Sequence, residues 1–379
     1  MTRAWRLVAL LSVTATASYL CRVNVSVAGV LMMKELALSH EAMGRIFSAF
    51  LLGYALCQIP GGMLADHFGA PRVLAVAAFA WVASTAGIAA ASGLAAILAV
   101  RLVLGVAEAP TFPSSAQAIS RWIPAPQRGR ANGVVVAAIG IGSAIAPPLL
   151  TFVMTRWGWR AAILVSALPA LAAGLAWLRA PTPPVTAPPP LNLRGLPRSR
   201  SFVLITASYT LQGYVGYIFV FWFYLYLVDV RHFDLLRGAL FGSLPWLLSI
   251  GSIPLGGWLF DRLPIDRRVI PITGLGGAGA FIALGAHTVN PYLAATCLAL
   301  ATALVLSVEG PFWTTVTSIA GSSAGAAGGV MNMGSNIGGF VSPALTPVLA
   351  SAIGWEYALL FSAMVAMAGA ILWFWIDAG

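Results

Sequence analysis

The chain is 379 residues long, 59% hydrophobic and only 8% charged, where soluble proteins carry roughly a quarter charged residues. A globule of this size needs charge to stay in water, so a soluble enzyme is excluded and a polytopic membrane protein is indicated. The excess of 21 Lys+Arg over 11 Asp+Glu would suggest nucleic acid in a soluble chain, but the basic residues are scattered singly and form no phosphate-binding cluster.

Apolar runs bounded by charges and Pro/Gly clusters fall at 7–33, 46–65, 73–92, 94–119, 131–154, 160–178, 203–228, 238–260, 269–287, 291–318, 326–350 and 356–376. A span needs about 20 apolar residues, so these runs predict twelve transmembrane helices. The first begins like a cleavable signal peptide, with Arg3 and Arg6 before Leu7 to Val13 and Ala15-Thr16-Ala17. Its apolar run continues to Met33, however, which is long enough to span, so it is read as an uncleaved helix. Between the sixth and seventh runs, Arg179 to Ser201 holds seven prolines and four arginines, a composition that stays extended and solvated. The expected organisation is a six-helix bundle over 1–178, a linker over 179–202 and a second six-helix bundle over 203–379.

The positions of the charges set an orientation. Thirteen of the 21 basic residues fall in the N-terminal tail and the even-numbered loops, and six (Lys34, Arg45, Arg156, Arg160, Arg231, Arg237) on the other side. This positive-inside bias places both termini in the cytoplasm. With Lys34 the only lysine, no GxxxxGK[ST] loop is possible. The three cysteines show no CxxC spacing and His40-Glu41 has no second histidine at HExxH spacing, so neither metal nor disulfide chemistry is expected.

The two halves read as repeats. Gly61-Gly62-Met63-Leu64-Ala65-Asp66 recurs as Gly256-Gly257-Trp258-Leu259-Phe260-Asp261, an offset of 195 that also maps Gly133 and Pro148 onto Gly328 and Pro343. Gly158-Trp159 maps onto Gly354-Trp355 with one residue of slack. Parallel six-helix repeats of this kind are the layout of major facilitator transporters.

The segment Gly62 to Arg72 (Gly-Met-Leu-Ala-Asp-His-Phe-Gly-Ala-Pro-Arg) resembles the cytoplasmic loop signature of the major facilitator superfamily. Tyr19 to Ala28, Gly53-Tyr54 with Gln58 to Gly62, Gly105 to Pro110 with Phe112-Pro113, Arg128 to Gly133, Ser243 to Leu247, Gly310 to Trp313 and Asn332 to Gly339 are similar to its anion:cation symporter branch. That branch includes bacterial sugar-acid and phthalate permeases, sialin and the vesicular glutamate carriers. The resemblance implies an all-α membrane fold of two pseudo-symmetric six-helix bundles. It also implies a monomer of the bacterial inner membrane, working without a cofactor on a small organic anion and the proton gradient. Anion antiport or efflux is the alternative. A polytopic membrane enzyme is the remote one, since no nucleophile–base pair or metal cluster lies near mid-span.

Candidate site residues follow. Arg22 lies mid-span, where a charge costs about 2.5–3.5 kcal/mol on insertion scales and so marks function by default. Ser12, Thr16, Tyr19, Arg22 and Ser26 follow helical spacing as one polar stripe. By resemblance Arg22 grips a substrate carboxylate, a task suited to the guanidinium fork; a structural arginine is the other reading. Many branch members carry an aspartate just before this arginine as one of two proton sites. Here it is Cys21, neutral near pH 7, so the two-site scheme does not carry over.

Arg101 and Glu108 are seven apart on the fourth span, hence on one face. By resemblance Glu108 is the proton-coupling acid, with a static Glu108–Arg101 bridge as the alternative. Glu309, before Gly310-Pro311, is the second-half counterpart: a hydrogen-bonded structural acid or a second titrating site. Tyr54, Asn332, Asn336 and Ser335 supply neutral groups that could read substrate hydroxyls or act as interhelical glue. The aromatic run Tyr214 to Tyr226 reads as packing or lipid-facing, with Tyr209 and Gln212 able to reach the site. By resemblance Asp66, Arg72 and Arg130, with Asp261 and Arg262 in the second half, form gating bridges at the cytoplasmic ends. The glycines, Gly133, Gly142, Gly328, Gly329 and Gly338 among them, are expected at close helix crossings.

Overall fold

Helices dictated by the apolar runs fill the chain. The computed structural model describes residues 3–180, 196–264 and 266–378, with no strand among them. Most of the linker expected over 179–202 lies outside the described residues. The chain divides into two compact units, Met1–Pro189 and Pro190–Gly379. The first unit holds α1 (Arg3–Glu35), α2 (His40–Phe68), α3 (Ala70–Ala90), α4 (Leu94–Glu108), α5 (Thr111–Trp122), α6 (Arg128–Ser166) and α7 (Leu168–Leu178). The second holds α8 (Arg200–Leu225), α9 (Leu235–Arg262), α10 (Val269–His287), α11 (Pro291–Ser307), α12 (Glu309–Ala320), α13 (Ala324–Ile353) and α14 (Trp355–Leu372).

Among the described residues, these fourteen α-helices make twelve crossings. A straight α6 of 39 residues would measure about 58 Å at 1.5 Å per residue, nearly twice the hydrocarbon thickness. Gly158 breaks it with φ 80° and ψ 167°, so Trp159 begins a separate crossing that α7 completes. Gly354, its repeat counterpart, has φ 92° and ψ 156° and separates α13 from α14. Positive φ at both positions is a conformation that glycine alone adopts without strain. Two further predicted spans are each built from two helices. The run 94–119 is split between α4 and α5 at Ala109-Pro110, and the run 291–318 is split between α11 and α12 at Val308. Pro110 has no N–H to continue the ladder.

The internal packing of the units repeats. In the first, α1 runs along α6, α2 along α4, and α3 against α7; in the second, α8 runs along α13, α9 along α11, and α10 against α14. The Gly-Gly motifs seat on the helix breaks. A Cβ at Gly61 would lie 2.8 Å from Pro110 Cα, and one at Gly256 would overlap the Ser307 carbonyl. Higher on the same crossing, Gly53 faces the Leu102 carbonyl and Gly105 the Phe50 carbonyl, each too close for any side chain. Bare backbones therefore let α2 and α4 touch, and that contact brings Phe50 and Tyr54 to the level of Arg101 and Glu108.

Not every glycine serves a crossing. Gly142 and Gly338 meet the Thr16 and Thr210 carbonyls on α1 and α8, but Gly133 and Gly329 have no neighbour within 4 Å, correcting the expectation for those two. The aromatic run of α8 and the turn after it is also settled: Tyr214, Phe219, Phe221, Trp222, Phe223, Tyr224 and Tyr226 are all buried, so these rings pack rather than face lipid.

Gly105→Ala should cost about 1–3 kcal/mol of stability by forcing α2 and α4 apart. Gly133→Ala should leave the melting temperature of the detergent-purified protein unchanged or raised, because alanine is the better helix former. Equal melting of the two variants would remove the α2–α4 contact as the element that sets the site.

Candidate functional site

Three buried charges meet inside the first unit: Arg22 on α1, 1% exposed, and Arg101 and Glu108 on α4, both 0% exposed. Arg22 donates from Nη2 at 2.6 Å and from Nε at 3.0 Å to the same Glu108 oxygen, Oε1. Ser18, one turn before Arg22, donates to that oxygen at 2.7 Å. Arg22 Nη1 donates to the Tyr19 hydroxyl at 3.3 Å. The guanidinium carbon lies 4.5 Å from the Tyr19 ring centroid, 4.7 Å from Tyr54 and 5.1 Å from Phe50, an aromatic cage with cation–π character. Glu108 Oε2 is buried with no hydrogen-bond partner among the described residues.

The acid of α4 is thus paired across to α1 and not along its own helix to Arg101. Arg101 instead places its guanidinium carbon 4.7 Å from the centroid of Phe50, whose ring is therefore shared by two cations. Cys21 turns its thiol to the Ser166 carbonyl at 3.4 Å, beside an Asn24 amide that donates to Ser166 Oγ at 2.9 Å. It brings no charge to the cluster.

The break after Glu108 frees carbonyls that must find donors. Trp81 Nε1 donates to Ala107 O at 2.9 Å, and Thr111 Oγ1 to Glu108 O at 2.6 Å. Glu108 is the last residue of α4, fixed between a capped backbone and the Arg22 fork. Of the polar stripe on α1, only part enters the site. Ser12 bonds back to Val8 O at 2.9 Å and Thr16 donates to Ala138 O on α6 at 3.0 Å. Ser18, Phe50 and Trp81 were not singled out by sequence. Ser18 and Phe50 stand one turn before Arg22 and Tyr54, which is the signal that could have found them.

In the second unit, Glu309 opens α12 on the other side of its helix break. Tyr209 donates to its Oε2 at 2.7 Å and Gln212 to its Oε1 at 2.9 Å. Tyr217 donates to Asn336 Oδ1 at 3.3 Å, Ser335 lies against Gly213 of α8, and Asn332 is half-buried. At the helix ends, Gln117 of α5 donates to Asp66 Oδ1 at 2.6 Å while accepting from Ala70 N at 3.2 Å. Arg130 stacks on Trp5 at 5.0 Å. Arg72, Asp261 and Arg262 are exposed. Within their own units none of these five charges makes an ion pair among the described residues.

A buried ion pair at a helix break, caged by aromatics in one of two repeated units, now has family context. A Major Facilitator Superfamily profile matches residues 11–343. The chain belongs to that superfamily. It is a multi-pass membrane transporter and not an enzyme. It is 32% identical, over 93% of its length and 88% of the relative's, to a Cupriavidus necator protein described as "Probable sulfoacetate transporter SauU". It is 28% identical, over 97% of its length and 93% of the relative's, to the Escherichia coli protein described as "Probable galactarate/D-glucarate transporter GarP". Among solved structures, a bacterial homologue of the human lysosomal transporter Spinster aligns with a TM-score of 0.85 at 18% identity, covering 99% of this chain and 97% of that one. That likeness shows the fold.

Trp81→Phe should leave the Ala107 carbonyl without its donor and cost about 1–3 kcal/mol, read as a fall in melting temperature in detergent. An unchanged melt would mean that the helix break does not depend on Trp81.

Proposed function

We propose that this transporter moves a small organic anion, a sugar acid or similar carboxylate, across the bacterial inner membrane by alternating access of its two six-helix halves, with protons coupled at Glu108. Both termini are cytoplasmic, and the carrier works as a monomer without a cofactor. One observation carries the reading: the two Arg22 nitrogens best placed to form a fork are both occupied by Glu108 Oε1. A substrate carboxylate needs those same donors.

Glu108 and the substrate therefore compete for one guanidinium. Protonation of Glu108 removes its claim on the fork and lets the substrate take it, so proton and anion are loaded together. Release of the anion returns the fork to Glu108, whose ionised form is again paired. The pair matters because a carboxylate buried unpaired in a closing site costs several kcal/mol. In this reading Tyr19, Tyr54, Asn332, Ser335 and Asn336 read the hydroxyls of the substrate, and Asp66, Arg72, Arg130, Asp261 and Arg262 bias the gates. The named substrates of the relatives, sulfoacetate and galactarate or glucarate, are carboxylates and support the anion class.

Cys21 favours a second reading, exchange of one anion for another. The branch's usual acid is absent, and Glu108 is the single buried acid among the described residues of the first unit.

A thermal-shift screen with sugar acids and sulfoacetate should supply a ligand for proteoliposome assays. Glu108→Gln should then abolish accumulation driven by a pH gradient while exchange of labelled anion survives. Continued proton-driven accumulation would reject Glu108 as the coupling acid and transfer the test to Glu309. Arg22→Lys keeps the charge but loses the planar fork, and affinity should fall about tenfold or more. Unchanged affinity would make Arg22 structural.

A further inference from the structure

The pairing of Arg22 with Glu108 leaves one charge unexplained. Arg101 is 0% exposed, yet Nε, Nη1 and Nη2 have no hydrogen-bond acceptor among the described residues. A guanidinium carries five N–H donors in its plane, and the Phe50 face beneath it at 4.7 Å accepts none of those in-plane bonds. Arg231 shows how this same chain treats an arginine that serves structure. It donates to the Tyr226 hydroxyl and to the carbonyls of Thr288, Gly285 and Ala286, at 2.7–3.2 Å. Arg101 has no comparable set.

Charge counting points the same way. Arg22, Arg101 and Glu108 are the buried charged residues among the described residues of the first unit, and Cys21 adds no charge, so the cluster carries a net +1 when Glu108 is ionised. Proton loading on Glu108 raises it to +2. A monoanion on Arg22 would leave one buried cation uncompensated, whereas two negative charges bring the loaded cluster to zero. The geometry allows one molecule to supply both. Both guanidinium carbons lie near the Phe50 ring, at 5.1 and 4.7 Å, so they are within about 10 Å of each other. Two acid groups separated by a few bonds span that gap.

We propose that Arg101 is a second anion-binding point and that the preferred substrate is a dianion, with a carboxylate on the Arg22 fork and a second acid group on Arg101. This rests on the reading of Arg22 as the substrate grip. Arg101 then acts as a specificity residue, separating diacids from monoacids of equal size.

Calorimetry on the purified full-length protein with matched pairs tests it. Malonate against 3-hydroxypropanoate and galactarate against galactonate each exchange one carboxylate for a hydroxymethyl group. Wild-type protein should prefer the diacid by about 100-fold in at least one pair. Arg101→Gln should bring the diacid down to monoacid affinity and leave monoacid binding intact. The ligand-free variant should melt at or above the wild-type temperature, since it loses a buried charge that has no acceptor. Arg101→Lys keeps charge without the fork and should retain part of the preference; it carries the test if the glutamine variant does not fold.

Equal affinity for both members of each pair in wild type overturns the dianion inference. So does a diacid preference that survives in Arg101→Gln or is undiminished in Arg101→Lys. If monoacids bind and need Arg22, those results leave the proposed function standing. If none of the four acids binds, or binding ignores Arg22→Lys, both fall.

Discussion

Everything in the first unit is arranged around the Arg22–Glu108 pair. Two opposite charges taken out of water must recover a large desolvation cost, and they do so only with good geometry and further hydrogen bonds. Here both Arg22 bonds and the Ser18 hydroxyl converge on Oε1, and the rings of Tyr19, Phe50 and Tyr54 surround the guanidinium. The Phe50 and Tyr54 rings reach the pair because α2 lies directly on α4. The side-chain-free surfaces of Gly53 and Gly105 permit that approach, so a backbone contact within a turn of Tyr54 and Glu108 sets the aromatic wall of the site.

The helix breaks are the second constraint. In both units a span is interrupted and an acid stands at the interruption, Glu108 before the break and Glu309 after it. A broken span exposes backbone groups in a medium that cannot solvate them, so such breaks persist only where the protein supplies partners. Trp81 and Thr111 do so in the first unit. The Gly-Gly motifs of α2 and α9 rest against these same breaks. A feature first visible as a repeat in sequence thus has a packing role beside its place in the cytoplasmic loop signature.

Much of this was legible in the sequence because membranes impose coarse, long-range patterns. Twelve apolar runs, the 195-residue repeat and mid-span Arg22, Glu108 and Glu309 all follow from hydropathy and charge position. What escaped was set by three-dimensional approach. Helical spacing placed Ser12 and Thr16 on the Arg22 stripe, but Ser12 bonds to its own helix and Thr16 to α6. A seven-residue spacing suggested an Arg101–Glu108 bridge, yet the crossing of α1 gave Glu108 a better partner. Phe50 was not singled out in the sequence, and its two cations distinguish it only in the structure. Gly133 and Gly329 fitted a crossing pattern that no neighbour meets.

The proposed charge balance also bears on direction. A dianion entering with the one proton that Glu108 can carry would move a net negative charge inward. An interior-negative potential opposes that by about 2.3 kcal/mol per 100 mV. Exchange of one dianion for another has no such cost and needs no second acid, which suits a chain with Cys21 in place of an acid before Arg22. Electroneutral uptake needs two protons, and among the described residues Glu309 is the only other acid in the interior of a span. Its setting permits the task. The Tyr209 hydroxyl that donates to Oε2 can turn to accept from a protonated acid, because a phenol serves as donor or acceptor. The Gln212 amide holds Oε1 in either state. Electroneutral uptake of a dianion would therefore need Glu309 to titrate along with Glu108, whereas exchange would leave Glu309 a structural acid tying α8 to α12.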